Sequence, residues 1–108
     1  MRLDIGKSSI HLPSKVVVAP SIDSLEHRIC SIESVQDHEM ILDQCIDSDS
    51  LELIANAKQI IWNGPIGVFE KDNFSEGTRA LAKAIAASSA FSLAGGGETL
   101  LAIKLFIN

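Results

Sequence analysis

The chain has 108 residues, a 46% hydrophobic fraction and a formal net charge of −5 at pH 7. That is room for one domain, or part of one, with a packed core, and the acidic balance argues against nucleic acid and anionic membranes as partners. No apolar run approaches the ~20 residues that cross a bilayer, and Cys30 and Cys45 lack metal-ligand spacing, so free thiols in a reducing cytoplasm are expected.

Residues Met1 to Ser9 have no periodicity and read as a connector, and Ile10 to Leu12 is too short to assign. Pro13 then precedes Val16-Val17-Val18-Ala19, a buried-strand pattern ended by Pro20. A further strand is expected around Arg28 to Ile32, its polar alternation placing it at a sheet edge or over the sheet. Most of the acids fall between Asp23 and Glu52, with Arg28 the single base, and form a solvated face. His11, His27 and His38 share no ligand spacing and read as surface or loop residues. Ser34 to Ser48 reads as an acid-rich loop whose Met40-Ile41-Leu42 triplet plugs into the core. Asp49 or Ser50 caps a short helix through about Asn56, with Leu51, Ile54 and Ala55 facing inward.

Ile60 to Trp62 is a short apolar run of strand type, broken by Asn63-Gly64-Pro65. Gly64 permits unusual dihedrals, whereas Pro65 fixes φ and offers no N–H. Gly67 leaves room for a group to lie against the backbone, and Glu70 stands just past the strand's carboxyl end, where open α/β sheets bind ligands. This stretch alone suits an ordinary turn as well as it suits a site. Asn73 with Glu76 has capping-box spacing, and Phe74, Thr78, Leu81 and Ile85 form one stripe of an amphipathic helix. Phe91 to Ala94 reads as a second strand, followed by Gly95-Gly96-Gly97-Glu98-Thr99 and an apolar helix pattern at Leu101, Ile103 and Leu105. A lone glycine triplet is a weak signal. Two glycine breaks after successive strands are stronger, because a right-handed crossover puts both at one sheet edge, with helix-start N–H groups suited to phosphate. The expected fold is α/β, a partial Rossmann-like three-layer αβα unit. Its small, mainly parallel sheet would include Val16 to Val18, Ile60 to Trp62 and Phe91 to Ala94.

Trp62-Asn63-Gly64-Pro65, Gly67-Val68-Phe69-Glu70, Asn73-Phe74, Gly77-Thr78, Ala90-Phe91-Ser92 and Gly95-Gly96-Gly97-Glu98-Thr99 closely resemble the C-terminal nucleotide-binding domain of the phosphoglycerate kinases. The resemblance is firm from Ala57 to Phe106 and looser upstream, through Leu12-Pro13, Val16 to Ala19 and Ile41-Leu42-Asp43. It implies a cytoplasmic glycolytic enzyme that moves a phosphoryl group between 1,3-bisphosphoglycerate and ADP, giving 3-phosphoglycerate and ATP, with Mg²⁺ and ADP/ATP as the bound cofactors. By the same resemblance, Glu70 holds the ribose hydroxyls, which suits a carboxylate because both oxygens accept. Gly67 and Val68 border the adenine, Leu42 lines its pocket, and Asn63 and Pro65 line the phosphate channel. Backbone at Gly95, Gly96 and Gly97, with Thr99, receives phosphate oxygens.

Glu98 stands where the family usually has Asp, and Gln44-Cys45 where it has an apolar residue and a glycine. A carboxylate beside phosphates requires an intervening cation, so Glu98 is the expected metal ligand. The simpler alternative is an acid that stabilises the helix dipole by roughly 0.3–1 kcal/mol. The resemblance further implies that residues 1–108 form an incomplete C-terminal domain, without the N-terminal substrate domain and the phosphate-gripping lysines. No catalytic residue is identifiable, and the chain alone is expected to be inactive, with 3-phosphoglycerate bound only in a complete enzyme. Sheet edges left open would favour self-association. The alternative is a non-catalytic remnant or interaction module that keeps the fold.

Overall fold

The computed structural model describes residues 2–107, in the order β1 (Arg2–Ile5), β2 (Ser8–His11), β3 (Lys15–Ala19), β4 (Arg28–Ser31), β5 (Met40–Gln44), α1 (Ser48–Asn56), β6 (Gln59–Trp62), α2 (Glu76–Ala87), β7 (Phe91–Ala94) and α3 (Gly97–Phe106). The expected connector at the start is instead a β1–β2 hairpin, turning at Gly6 with φ 58°. Alternation is too short there to register as a strand signal.

The α/β class holds, and β6 pairs with β7 in parallel, Ile61 opposite Leu93 and Trp62 opposite Ala94. The single mainly parallel sheet does not. β3 lies in a separate antiparallel sheet of order β4-β3-β5. Its run of apolar residues arises because both faces are covered. Val16 and Val18 pack with Cys30, and Val17 and Ala19 pack with Leu42 and Phe74. Such burial, common in parallel sheets, does not report strand direction. β4 does sit at a sheet edge, as its alternation indicated.

The stretch expected to be a loop around Met40 is strand β5. Register slips between Val17 and Val18, where Asp43 faces Val17 and Ile41 faces Val18, so Leu42 is the extra residue of a β-bulge. The bulge turns both Leu42 and Asp43 inward, at 4% and 2% exposure, while Met40 and Ile41 stay exposed. Helix α1 is capped two or three residues earlier than expected. Asp47 accepts from the Ser50 N–H at 2.8 Å, and Leu51 faces solvent, with Ile54 half-buried. Asn73 is not a cap, because it lies in a tight turn, Asp72–Phe74, ahead of α2. The stripe of Phe74, Thr78, Leu81 and Ile85 does face inward.

Helices α2 and α3 pack on one face of the β6–β7 pair, around Trp62, Phe69, Ala82 and Ala102. The opposite face carries Ile61, Phe91 and Leu93, exposed by 80%, 64% and 55%, so among the described residues no helix layer covers it. Helix α3 is apolar around its circumference and leaves Leu100, Leu101 and Leu105 exposed, the pattern of a helix meant for burial. The chain is therefore expected to self-associate through this apolar surface. Light scattering after size-exclusion chromatography reads this directly. Ile61→Lys should disperse the associated species, and a strictly monomeric wild type would contradict the expectation.

Candidate functional site

The parallel register brings both glycine turns to the carboxyl edge of β6 and β7. The first turn follows Trp62. Gly64 adopts φ 120°, which favours glycine, and its carbonyl accepts the Trp62 indole N–H at 2.9 Å. Its own N–H donates to the Thr99 hydroxyl at 2.7 Å. Two residues on, the Ile66 N–H donates to the buried Thr78 hydroxyl at 3.1 Å, and that hydroxyl donates back to the Ile66 carbonyl.

The second turn follows Ala94. Gly95 donates its N–H to the Trp62 carbonyl at 3.0 Å, joining the turns. Gly96 has φ 93°, and a Cβ built on it would lie 3.3 Å from Asn63 Oδ1. Helix α3 begins at once, its first backbone bond running from Leu100 N–H to the Gly96 carbonyl at 3.0 Å. The N–H groups of Gly97, Glu98 and Thr99 precede that bond and have no partner within the helix. Asn63, Gly95, Gly96, Gly97 and Thr99 therefore meet in space.

A second group forms around the bulge of β5. Val68 donates its N–H to the Leu42 carbonyl at 2.9 Å, an acceptor that the bulge leaves out of the ladder. Gly67, with φ 65°, lies so close to β5 that a Cβ would overlap the Leu42 carbonyl oxygen and sit 2.9 Å from Asp43 Cα. Its smallness thus serves the chain's own packing. The Leu42 side chain is in the core with Val17, Ala19 and Phe74 rather than on a cleft wall. Pro65 is half-buried between the two groups, and Glu70 and Glu98 are both exposed. Among the described residues neither acid makes a side-chain hydrogen bond or ion pair.

Sequence reasoning missed Asp43. Its carboxylate accepts the Gly77 N–H at 3.0 Å and the Gln44 N–H at 2.9 Å, and so pins β5 to the start of α2. Burial pushes its pKa up, against the pull of those two N–H groups, and Glu76 nearby adds to the rise. An acid after an apolar triplet was the one local signal, and the partner lies 34 residues on.

A cavity of about 760 Å³ lies elsewhere, lined by His11, Asp47, Asp49, Glu52 and Asn56 among others. Its acidic wall suits phosphate poorly. Among the described residues no group of three or more His, Cys, Asp or Glu is placed to hold a metal. Mg²⁺ at Glu98 would therefore rely on ligand oxygens as well, which fits an ion commonly held by one or two carboxylates plus phosphates.

The order strand, glycine turn, helix, strand, glycine turn, helix from β6 to α3, with β6 and β7 parallel, makes the chain an α/β protein of crossover type. The sequence model for phosphoglycerate kinase matches residues 3–107. A solved phosphoglycerate kinase from Coxiella burnetii superposes with a TM-score of 0.83 at 43% identity, covering 89% of this chain and 26% of that one. The chain belongs to the phosphoglycerate kinase family, a family of phosphotransferases, and spans about a quarter of that relative's length. No helix among the described residues is long and apolar enough to cross a membrane.

Proposed function

We propose that this chain carries part of a Mg-ADP/ATP site and serves phosphoryl transfer between 1,3-bisphosphoglycerate and ADP, giving 3-phosphoglycerate and ATP, once the remaining family length is supplied. The reading rests on one observation: the unbonded first-turn N–H groups of α3 lie beside the Asn63–Pro65 turn at the shared carboxyl edge. Phosphate oxygens accept from the exposed N–H groups of Gly97 and Glu98, with Gly96 leaving the approach open and Thr99 buried behind them. Asn63 and Pro65 border the phosphates, Gly67 and Val68 border the adenine, and Glu70 accepts from the ribose hydroxyls. Leu42 contributes through its carbonyl, which fixes Val68.

Glu98 holds the magnesium ion that accompanies the phosphates and that neutralises charge during transfer. A second reading, an interaction module that keeps the fold, is favoured by the exposed apolar face of Ile61, Phe91 and Leu93.

Calorimetric titration with ADP separates the two. Binding is expected, and Glu70→Gln should weaken it about tenfold with or without Mg²⁺, the worth of one charge-assisted hydrogen bond. The absence of ADP binding, or a Glu70→Gln variant that binds as well as the wild type, would sink the nucleotide reading.

A further inference from the structure

The peptide groups at Gly64 are held from both sides by side chains. Its N–H donates to Thr99 Oγ1 at 2.7 Å and its carbonyl accepts from Trp62 Nε1 at 2.9 Å. Both holders are rigidly placed: Trp62 is 5% exposed at the end of β6, and Thr99 is 1% exposed in the first turn of α3, 35 residues from Gly64. Gly64 itself is exposed, and its φ of 120° belongs to a residue with many alternative conformations. A turn of that kind keeps one shape only if something fixes it. The Gly95 N–H bonded to the Trp62 carbonyl closes the ring.

We propose that Trp62 and Thr99 are positioning residues. Together they clamp the Gly64 peptide, hold the Asn63–Pro65 turn in register with the first turn of α3, and so fix the spacing of the phosphate site. The Thr99 hydroxyl is too buried to lie open to a ligand and acts through Gly64; the Trp62 indole acts through the Gly64 carbonyl. The ligand part of this proposal rests on the nucleotide reading above, whereas the clamp itself does not.

The test compares wild type, Thr99→Ser and Thr99→Val by amide hydrogen exchange, with the amides of β3 reporting global opening. In Thr99→Val the Gly64 amide should exchange about tenfold faster relative to β3, the loss of one hydrogen bond. The Trp62 indole N–H resonance should shift with it, because its acceptor moves. Thr99→Ser keeps the hydroxyl and should restore both signals.

If Gly64 and β3 change equally in Thr99→Val, or if Thr99→Ser behaves like Thr99→Val, the clamp is wrong. Should Thr99→Val fail to fold, Trp62→Phe removes the other half of the clamp. An unchanged Gly64 rate relative to β3 in that variant would overturn the proposal equally. Where the wild type binds ADP, Thr99→Val should lose affinity for ADP but not for adenosine. A wild type that binds neither defeats the nucleotide reading, while the exchange data still decide the clamp.

Discussion

Replacing Gly77 by alanine is expected to destabilise the fold by roughly 1.5–5 kcal/mol, although alanine is the better helix former. Gly77 is buried in the first turn of α2, and a Cβ there would overlap both the Asp43 carboxylate and the Gln44 carbonyl oxygen. The side chain could swing aside, but the Gln44 carbonyl belongs to β5 and cannot move without breaking the strand. Helix propensity returns about 1 kcal/mol. Overpacking costs about 1–3 kcal/mol, and loosening the bond from the Gly77 N–H to a buried carboxylate costs a further 1.5–3 kcal/mol or so. The losses win. Urea unfolding measures the change as a shift in midpoint. Gly95→Ala is the control, because a Cβ there meets nothing within 4 Å, and its stability should stay within about 0.5 kcal/mol of wild type. A Gly77→Ala variant as stable as the parent would show that α2 does not sit on β5 as described.

The contrast between Gly77 and Gly95 also marks what the amino-acid sequence made legible. Strand, glycine turn and helix could be read twice between Ile60 and Phe106, because each is a local pattern: an apolar run, a backbone break, a stripe of spacing three and four. The shared sheet edge followed from crossover handedness, and the parallel register of Trp62 and Ala94 agrees with it. The first half resisted. A fully buried run such as Val16 to Ala19 looks the same in parallel and antiparallel sheets, and the bulge at Leu42 has no sequence signature. Yet that bulge frees the carbonyl that holds Val68 and turns Asp43 toward Gly77. Gly67 and Thr99 are likewise ambiguous in one dimension. Gly67 reads as space for a ligand, whereas in the fold its space is taken by β5. Thr99 reads as a phosphate contact, and its hydroxyl is committed to Gly64.

Glu98→Gln is expected to abolish the magnesium dependence of ADP binding while leaving the fold intact. Glu98 lies exposed in the first turn of α3, beside the N–H groups proposed to receive phosphate. With no cation present, its charge repels those phosphates; with Mg²⁺ between them, the same charge attracts. Two unit charges about 4 Å apart in water interact by roughly 1 kcal/mol, and the ion's double charge doubles that, so a Mg²⁺ preference of about tenfold or more rests on this carboxylate. Glutamine keeps the shape and the helix start but removes the charge. The variant should bind ADP alike in Mg²⁺ and in EDTA, and its metal-free affinity should exceed the wild type's because the repulsion is gone. Glu70→Gln, remote from the phosphates, should instead weaken both conditions equally. Calorimetric titration of the three proteins, each with and without Mg²⁺, gives the six affinities needed. A Glu98→Gln variant that keeps the wild-type preference for Mg²⁺ would reduce Glu98 to a helix-end acid, worth about 0.3–1 kcal/mol to α3 and nothing to the metal.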